Sequence, residues 1–322
     1  LNTLKPEIVH LNHNDSDAIG CSLNLHYSMP DRKKVMFNTN YTDLLEKIND
    51  VILYIQKNNV DLLVISDISF ADNLSDLLHI QSEVQDKLGV KILYFDHHTY
   101  KPDFFKDITF FYIHDITKSA TLIMNEAFHS KNENLNKLSK LINDFDIWVE
   151  DSNTFNISIA LNEYLWNGIK NKSIDAVIKE IIDNDYKLGK NFIDFFKKHT
   201  IDSKNTLKNL KEKGLFINDN FLSIIFTDEY FNDALYESFH NDKCKVAIIV
   251  NSYGIFRIRF STINCLSDSE KEKIKLAIMG TLEYGHLNAF SLKVQNSNFK
   301  KIMSKVQELT TIINTNKPNK YK

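Results

Sequence analysis

Residues 92–98 read Ile92-Leu93-Tyr94-Phe95-Asp96-His97-His98, an apolar run of strand length that ends in one carboxylate and two imidazoles. Such a run, bounded by polar residues, suits a buried strand of a parallel sheet. The same construction occurs twice upstream. Leu62-Leu63-Val64-Ile65 leads to Asp67, and the short run Ile8-Val9 leads to His13-Asn14-Asp15-Ser16-Asp17. In open α/β sheets the ligand crevice lies beyond the carboxyl ends of the strands, so three such ends in one sheet converge on one place. A fourth cluster, Asp144-Phe145-Asp146, closes a stretch of helical periodicity from Leu135 to Ile142.

Around these clusters the chain is organised in two parts. At 322 residues it exceeds what one compact core usually holds, which predicts two domains of unequal size. From the start to about residue 112, strand-length apolar runs alternate with amphipathic segments of helix length, the pattern of βαβ units. Helices follow: Lys118-Ser119-Ala120-Thr121 offers capping hydroxyls to an apolar-periodic stretch from Leu122 to Phe128, and helical periodicity continues from about Ile174 to Glu212. Then Phe221–Phe226, Lys245–Val250 and Gly254–Phe260 read as strands, with helices at 229–240 and 268–278 between and after them. A last helix, 298–313, places Phe299, Ile302, Met303, Val306, Leu309 and Ile313 on one face, predicted to pack on the smaller sheet. The expected division is a larger domain carrying these clusters over 1–185, a helical connector over 186–215, a smaller α/β domain over 216–314 and a frayed tail over 315–322.

Composition narrows the partners. With 43% hydrophobic and 25% charged residues the chain is an ordinary folded one, and a net charge of -3 supplies no global field for long duplex DNA. Cys21, Cys244 and Cys265 are odd in number and widely spaced, which argues against a disulfide framework or a structural zinc site and suits a reducing cytoplasm. No apolar run approaches the roughly 20 residues that span a bilayer, and Leu1–Glu7 lacks the features of a signal peptide, so no membrane partner is expected. Eight glycines, none in a Gly-x-Gly arrangement, exclude the dinucleotide fingerprint and the Walker loop. Phosphate, if bound, is left to metals and cationic side chains.

In an extended segment, His13, Asp15 and Asp17 point the same way and offer three ligands on one face. Imidazole mixed with several carboxylates suits a hard or borderline ion in near-octahedral geometry, manganese first, magnesium or cobalt as alternatives. Two such ions together would activate water and stabilise the leaving oxygen of a phosphoester. Each cluster alone has a plainer explanation. Asp15, Asp17 and Asp72 fit helix N-caps, a His-His pair in a loop is commonly solvated, Asp144 could pair with Lys140, and Arg32-Lys33-Lys34 reads as a solvated turn. Independent capping, however, does not place His-x-Asp-x-Asp, Asp and Asp-His-His at successive strand ends.

These residues resemble the DHH phosphoesterase superfamily. Motif I is matched by His13-Asn14-Asp15-Ser16-Asp17-Ala18-Ile19-Gly20, motif II by Asp67, motif III by Asp96-His97-His98 and motif IV by Asp146, over about the first 150 residues. The spacing in motif I, Ser119-Ala120-Thr121 and Asp146-Ile147-Trp148 resemble the nanoRNase group of short-oligonucleotide phosphodiesterases. The resemblance implies an α/β fold, a parallel-sheet DHH domain and a smaller DHHA1-like domain with a cleft between them. It implies one metal held by His13, Asp15 and Asp67 and another by Asp17, Asp67, His97 and Asp146, with Asp67 bridging. Asp96 would orient an imidazole and His98 would face the substrate phosphate. Asp146 is preferred to Asp144 because Ile147-Trp148 follow it as in the family. In the smaller domain the family binds substrate through a glycine-rich motif ending in Gly-His and an arginine on a strand. Here Glu283-Tyr284-Gly285-His286 keeps the Gly and the His but not the preceding glycines, with Asn288 beyond them, and Phe256–Ser261 supplies Arg257 and Arg259, of which Arg259 matches better. Trp148, Tyr284 and Phe290 are candidates to stack on a base, or core residues.

The expected activity is therefore metal-dependent hydrolysis of short RNA oligonucleotides or linear dinucleotides to mononucleotides. Manganese pyrophosphatases and polyphosphatases share the motifs, although pyrophosphatases place the motif I histidine further ahead of the first Asp than His13 stands from Asp15. A nucleotide phosphatase is a second enzymatic alternative, and a degenerate nucleotide-binding protein the alternative of another class. Oligomeric state, a homodimer included, is not legible.

Overall fold

The computed structural model describes residues 5–71, 73–219, 221–228, 232–262, 264, 266–279, 289–295 and 298–316. They fall into two compact units, one made of Leu1–Trp148 and Ala160–Phe195, the other of Val149–Ile159 and Phe196–Lys322.

The first unit begins with β1 (Glu7–His13), α1 (Ser16–Ser28), β2 (Lys34–Thr39), α2 (Leu44–Lys57), β3 (Val60–Ser66) and α3 (Leu74–Ile80), which continues in π-helical turns over Gln81–Lys87. Then come β4 (Lys91–Asp96), β5 (Phe111–His114), α4 (Ala120–Ala127) and α5 (Glu133–Asp146). The five strands form one parallel sheet in the order β2-β1-β3-β4-β5. Because β2 lies on one side of β1 and β3 on the other, the winding reverses at β1/β3, and the crevice of such a sheet opens beyond the strand ends at that point. The register sets Asn12 opposite Ser66 and Ser66 opposite Phe95, so motifs I, II and III leave the sheet at one level.

Burial on both faces explains the unbroken apolar runs. Val9, Leu11, Leu63, Ile65, Ile92 and Tyr94 pack with Ile48, Val51 and Ile55 of α2 and Leu77 and Ile80 of α3. On the opposite face Ile8, Leu62, Val64 and Phe95 meet Cys21 and Leu25 of α1 and Ile123 and Met124 of α4. Each fully buried aliphatic or aromatic side chain contributes about 1.5–3 kcal/mol, which two covered faces multiply over the whole sheet. Arg32 is not a solvated turn residue. Its guanidinium donates to the carbonyls of Pro6 and Glu7 at 2.8 and 3.1 Å and pairs with Asp61, tying the starts of β1 and β3 together.

α6 (Phe155–Asn171) and α8 (Lys190–Glu212) each contribute residues to both units, with α7 (Ile174–Asp183) between them in the first. The second unit continues through β6 (Phe216–Asn218), β7 (Leu222–Phe226), α9 (Asn232–Tyr236) with π-helical turns over Glu237–Asn241, β8 (Val246–Val250), β9 (Ile255–Phe260), α10 (Asp268–Met279), β10 (Ala289–Lys293) and α11 (Phe299–Thr315). Its sheet runs β10-β9-β8-β7-β6, with β7 and β8 parallel and the other pairs antiparallel. Ile302, Val306, Leu309 and Ile313 of α11 pack against Val246, Ile248, Phe256 and Ile258. Phe299, expected on that face, is 78% exposed instead, because it opens the helix immediately after the cap at Asn298. Among the described residues, no helix is long and apolar enough to cross a membrane.

Candidate metal centre

β1 ends at His13, and the chain turns at once into α1, with Asp15 as N-cap and Asp17 in the first turn. The extended arrangement expected for His13, Asp15 and Asp17 is therefore interrupted: capping competes for Asp15, whose side chain accepts the Ala18 N–H at 3.0 Å. Capping and convergence nevertheless coexist. His13 Nδ1 lies 2.7 Å from Asp15 Oδ2 and 3.8 Å from Asp67 Oδ2. Asp67 follows β3 with φ of 55°, a left-handed backbone that Asp tolerates better than most side chains and that clusters at functional sites.

His97, one residue beyond β4, joins the clusters. Its Nε2 is 3.3 Å from Asp67 Oδ1, 3.5 Å from Asp146 Oδ2 and 3.9 Å from Asp17 Oδ2. Asp146 is the last residue of α5, and that helix is tied to α4 where Asn143 Oδ1 accepts the Ser119 N–H at 2.9 Å. Asp144 is buried beside Asn143 and belongs to none of the His–carboxylate sets found among the described residues. The start of α4 fixes Asp17: the backbone N–H groups of Ala120 and Thr121 donate to its two carboxylate oxygens at 2.9 and 3.0 Å. Here the Ser119-Ala120-Thr121 stretch acts as an anion-holding helix N-terminus.

Three sets thus form at this place, His13/Asp15/Asp67, Asp17/His97/Asp146 and Asp67/His97/His98, each with one ligand atom per residue within 4.8 Å of the others. Asp67 and His97 are each shared by two sets. The electrostatics of the cluster are those of crowded anions. Burial, with the like charges of Asp15, Asp17 and Asp146, pushes the Asp67 carboxyl well above the usual carboxylate range. Burial also raises Asp17, against the pull of His97. Asp15 feels the same burial, but the hydrogen bond and charge of His13 outweigh it and hold its carboxyl below its ordinary value. Asp67 Oδ2 is buried and accepts no hydrogen bond from the described residues. Buried carboxylates that crowd one another and keep an unsatisfied oxygen fit a divalent cation, which would supply the missing charge and coordination.

Asp96 stands apart from these sets. Its carboxylate is fully buried and accepts from His98 Nδ1 at 2.8 Å and from the Tyr100 hydroxyl. Burial acts to raise it, but His98 prevails and brings it down to about 2. Tyr41, which the sequence reading did not single out, sits across the centre. Its hydroxyl is 3.3 Å from His98 Nε2 and accepts the Ser69 N–H, its ring lies 5.3 Å from that of His13, and it is 50% exposed. The available signal was its place in the loop after β2, a fourth strand end.

In the second unit, Arg257 and Arg259 alternate with buried Phe256, Ile258 and Phe260, so both occupy the sheet face opposite the core that α11 covers, level with buried Ile249 and Ala247 of β8. Gly285, His286, Asn288 and Tyr284 lie outside the described residues. Trp148 and Phe290, candidates for base stacking, are core residues, 1% and 5% exposed. A cavity of about 660 Å³ lies among α6, α7 and the start of α8, but none of the Asp and His clusters lines it.

No family model and no curated protein matches the sequence. Solved structures do. The chain is similar to an uncharacterized protein from Helicobacter pylori G27 (17% identity, TM-score 0.50, 95% of this chain and 99% of that one). It is similar to RecJ in complex with Mn2+ from Thermus thermophilus (10% identity, TM-score 0.54, 95% of this chain), of which it spans only 52%. It is also similar to an exonuclease RecJ bound to manganese (11% identity, TM-score 0.55, 95% and 91%). At these identities the likeness is one of fold: the chain has the two-domain α/β architecture of the RecJ exonucleases, as the sequence led one to expect.

Proposed function

We propose that the protein is a metal-dependent phosphodiesterase that cleaves short oligoribonucleotides or linear dinucleotides to mononucleotides. The observation that carries the reading is the sharing of Asp67 and His97 between sets of potential ligands, which suits two adjoining cations. One would be held by His13, Asp15 and Asp67, the other by Asp17, Asp67, His97 and Asp146. Manganese is favoured by the mixture of imidazole and carboxylate and by the manganese in the two RecJ structures, with magnesium and cobalt as alternatives.

Divalent cations bound there would polarise the phosphoryl oxygens and acidify water for in-line attack. The side chains do the rest. Asp17, clamped by the first N–H groups of α4, and Asp67, fixed by its turn off β3, hold the donor geometry. Asp96, accepting from Nδ1 of His98, orients that ring, whose Nε2, 3.3 Å from the Tyr41 hydroxyl, would turn to the phosphoryl or leaving oxygen. Arg257 and Arg259 offer forks to a terminal phosphate, a role in which Gly285, His286 and Asn288 would join. The reading has the enzyme working in the cytoplasm on single short strands, without duplex DNA or a membrane as partner.

The test is a panel of two-mers to five-mers, a cyclic dinucleotide, adenosine bisphosphate and pyrophosphate, each incubated with Mn2+. Release of mononucleotides from the short oligomers, abolished by Asp67→Asn, is the expected result. Faster turnover of pyrophosphate than of any dinucleotide would replace the substrate, and tight nucleotide binding without turnover would replace the enzyme with a sensor.

A further inference from the structure

Beside motif III the first unit holds a second feature, a pocket of about 370 Å³ whose walls include Tyr100, Phe104, Phe105, Tyr112 and His114. That volume is at the low end of ligand sites, roughly 300–1,000 Å³, and suits a single nucleotide rather than a long chain. Lys101, Asp103 and Lys106 complete the lining, two cations against one carboxylate.

Strand geometry puts the pocket next to the metal centre. β5 pairs with β4 so that Tyr112 stands opposite Tyr94 and His114 opposite Asp96. Paired residues share a face, and Tyr112 and His114, two apart, share it with each other. The pocket is wired to the centre at two points: Tyr100 donates to the Asp96 carboxylate, and His114 Nε2 lies 2.6 Å from the carbonyl oxygen of His98. The rings are already ordered. Phe105 and Tyr112 stack at 4.3 Å with an interplanar angle of 14°, Tyr100 packs on Phe104 at 4.2 Å, and Tyr112 remains 39% exposed. The turn between them is tight, with Asp103 at φ of 64° and the Lys106 N–H donating to the Asp103 carbonyl at 3.1 Å. A rigid aromatic platform with an exposed ring, flanked by lysines and joined to a phosphate-handling centre, has the make-up of a stacking site for single-stranded nucleic acid.

We infer that this pocket is a base subsite, in which Tyr112 stacks on the nucleobase adjoining the phosphate at the Asp/His centre while Lys101 and Lys106 face the backbone. Its place in a reaction rests on the phosphodiesterase reading, but its ligand chemistry does not: a nucleoside monophosphate should occupy it without metal. Two experiments on the full chain separate the claims. In EDTA, photolabelling with 8-azidoadenosine monophosphate should mark the peptide spanning residues 100–114, with protection by adenosine monophosphate but not by ribose 5-phosphate. With Mn2+, Tyr112→Ala should raise KM for an adenylyl dinucleotide about tenfold, since a stacked base contributes about 1–3 kcal/mol. That ratio should fall towards one when the substrate carries an abasic residue in place of the base, and Tyr112→Phe, which keeps the ring face, should recover the lost affinity. Label confined to other peptides, or the same KM ratio for base-bearing and abasic substrates, overturns the subsite and leaves the phosphodiesterase reading standing. Label at 100–114 with no phosphodiester cleaved does the reverse.

Discussion

Single residues in the first unit divide into those that would meet a cation and those that hold them in place, and the division can be measured. Asp96 is fully buried and engages its carboxylate with His98 and Tyr100, outside the His13/Asp15/Asp67 and Asp17/His97/Asp146 sets. Asp96→Asn should lower kcat by roughly 10–100-fold, as loss of an orienting partner does, while titration calorimetry still records Mn2+ uptake. Uptake lost as completely as in Asp67→Asn would make Asp96 a ligand. His10 has a different role. It is fully buried in the middle of β1, its Nε2 is 2.8 Å from Ser66 Oγ, and burial, helped by His26, lowers its pKa to about 3. The unfolded chain binds a proton near pH 6.5 that the folded one refuses, so stability present above that pH is lost as pH falls from about 6.5 towards 3. Relative to His10→Gln, the wild type should lose up to about 1.4 kcal/mol per pH unit in that window in urea melts, and parallel pH profiles for the two proteins would contradict it.

At the scale of elements, the approach of α1 to α4 decides whether the clusters meet. Gly20 makes it possible: a Cβ there would lie 2.1 Å from Thr121 Oγ1, 2.6 Å from Thr121 Cγ2 and 2.9 Å from Ile142 Cδ1. Thr121 cannot simply swing away, because it is β-branched and its hydroxyl donates to the Asp17 carbonyl at 2.7 Å while its N–H holds the Asp17 carboxylate. Gly20→Ala should therefore destabilise by about 1–3 kcal/mol, with activity falling further than the loss of folded protein explains. Activity tracking the folded fraction alone would mean that the helix contact does not position Asp17. The same scale explains what could be read in advance. β1, β3 and β4 are central strands, so burial on both faces writes their apolar runs into the sequence, and the Asp and His residues stand out where those runs stop. β2 is an edge strand, half-buried over Lys34–Asn38, and β5 is a four-residue edge strand with Phe111 and Tyr112 exposed. Neither carries a core pattern, which is why Tyr41 beyond β2 and the aromatic pocket beside β5 escaped a reading built on buried runs. Trp148 and Phe290 show the converse limit: aromaticity alone leaves a stacking surface and a core position both open, and burial places both residues in the core.

For the whole molecule, the cost of gathering Asp15, Asp17, Asp67 and Asp146 around His13 and His97 is borne by the folded state. The net charge is only -3, so the strain is local rather than global, concentrated where burial and like charge both disfavour the ionised Asp67. A ligand that binds the folded chain alone stabilises it by mass action, about 2.7 kcal/mol at a concentration one hundred times its Kd. Two opposed effects follow for Asp67→Asn, which removes the ionisable carboxyl and keeps a side chain that accepts the left-handed backbone at this position. In EDTA at neutral pH the variant should melt at a higher temperature than the wild type, since a crowded, poorly satisfied carboxylate is gone. As Mn2+ is added, the wild-type melting temperature should climb and overtake a nearly flat variant, and the crossing point reports the affinity of the centre. If Asp67→Asn melts lower than the wild type without metal, Asp67 is a structural acid whose interactions already satisfy it. If instead both proteins climb together with Mn2+, the ion binds elsewhere, and the convergence of three strand ends does not form the metal site.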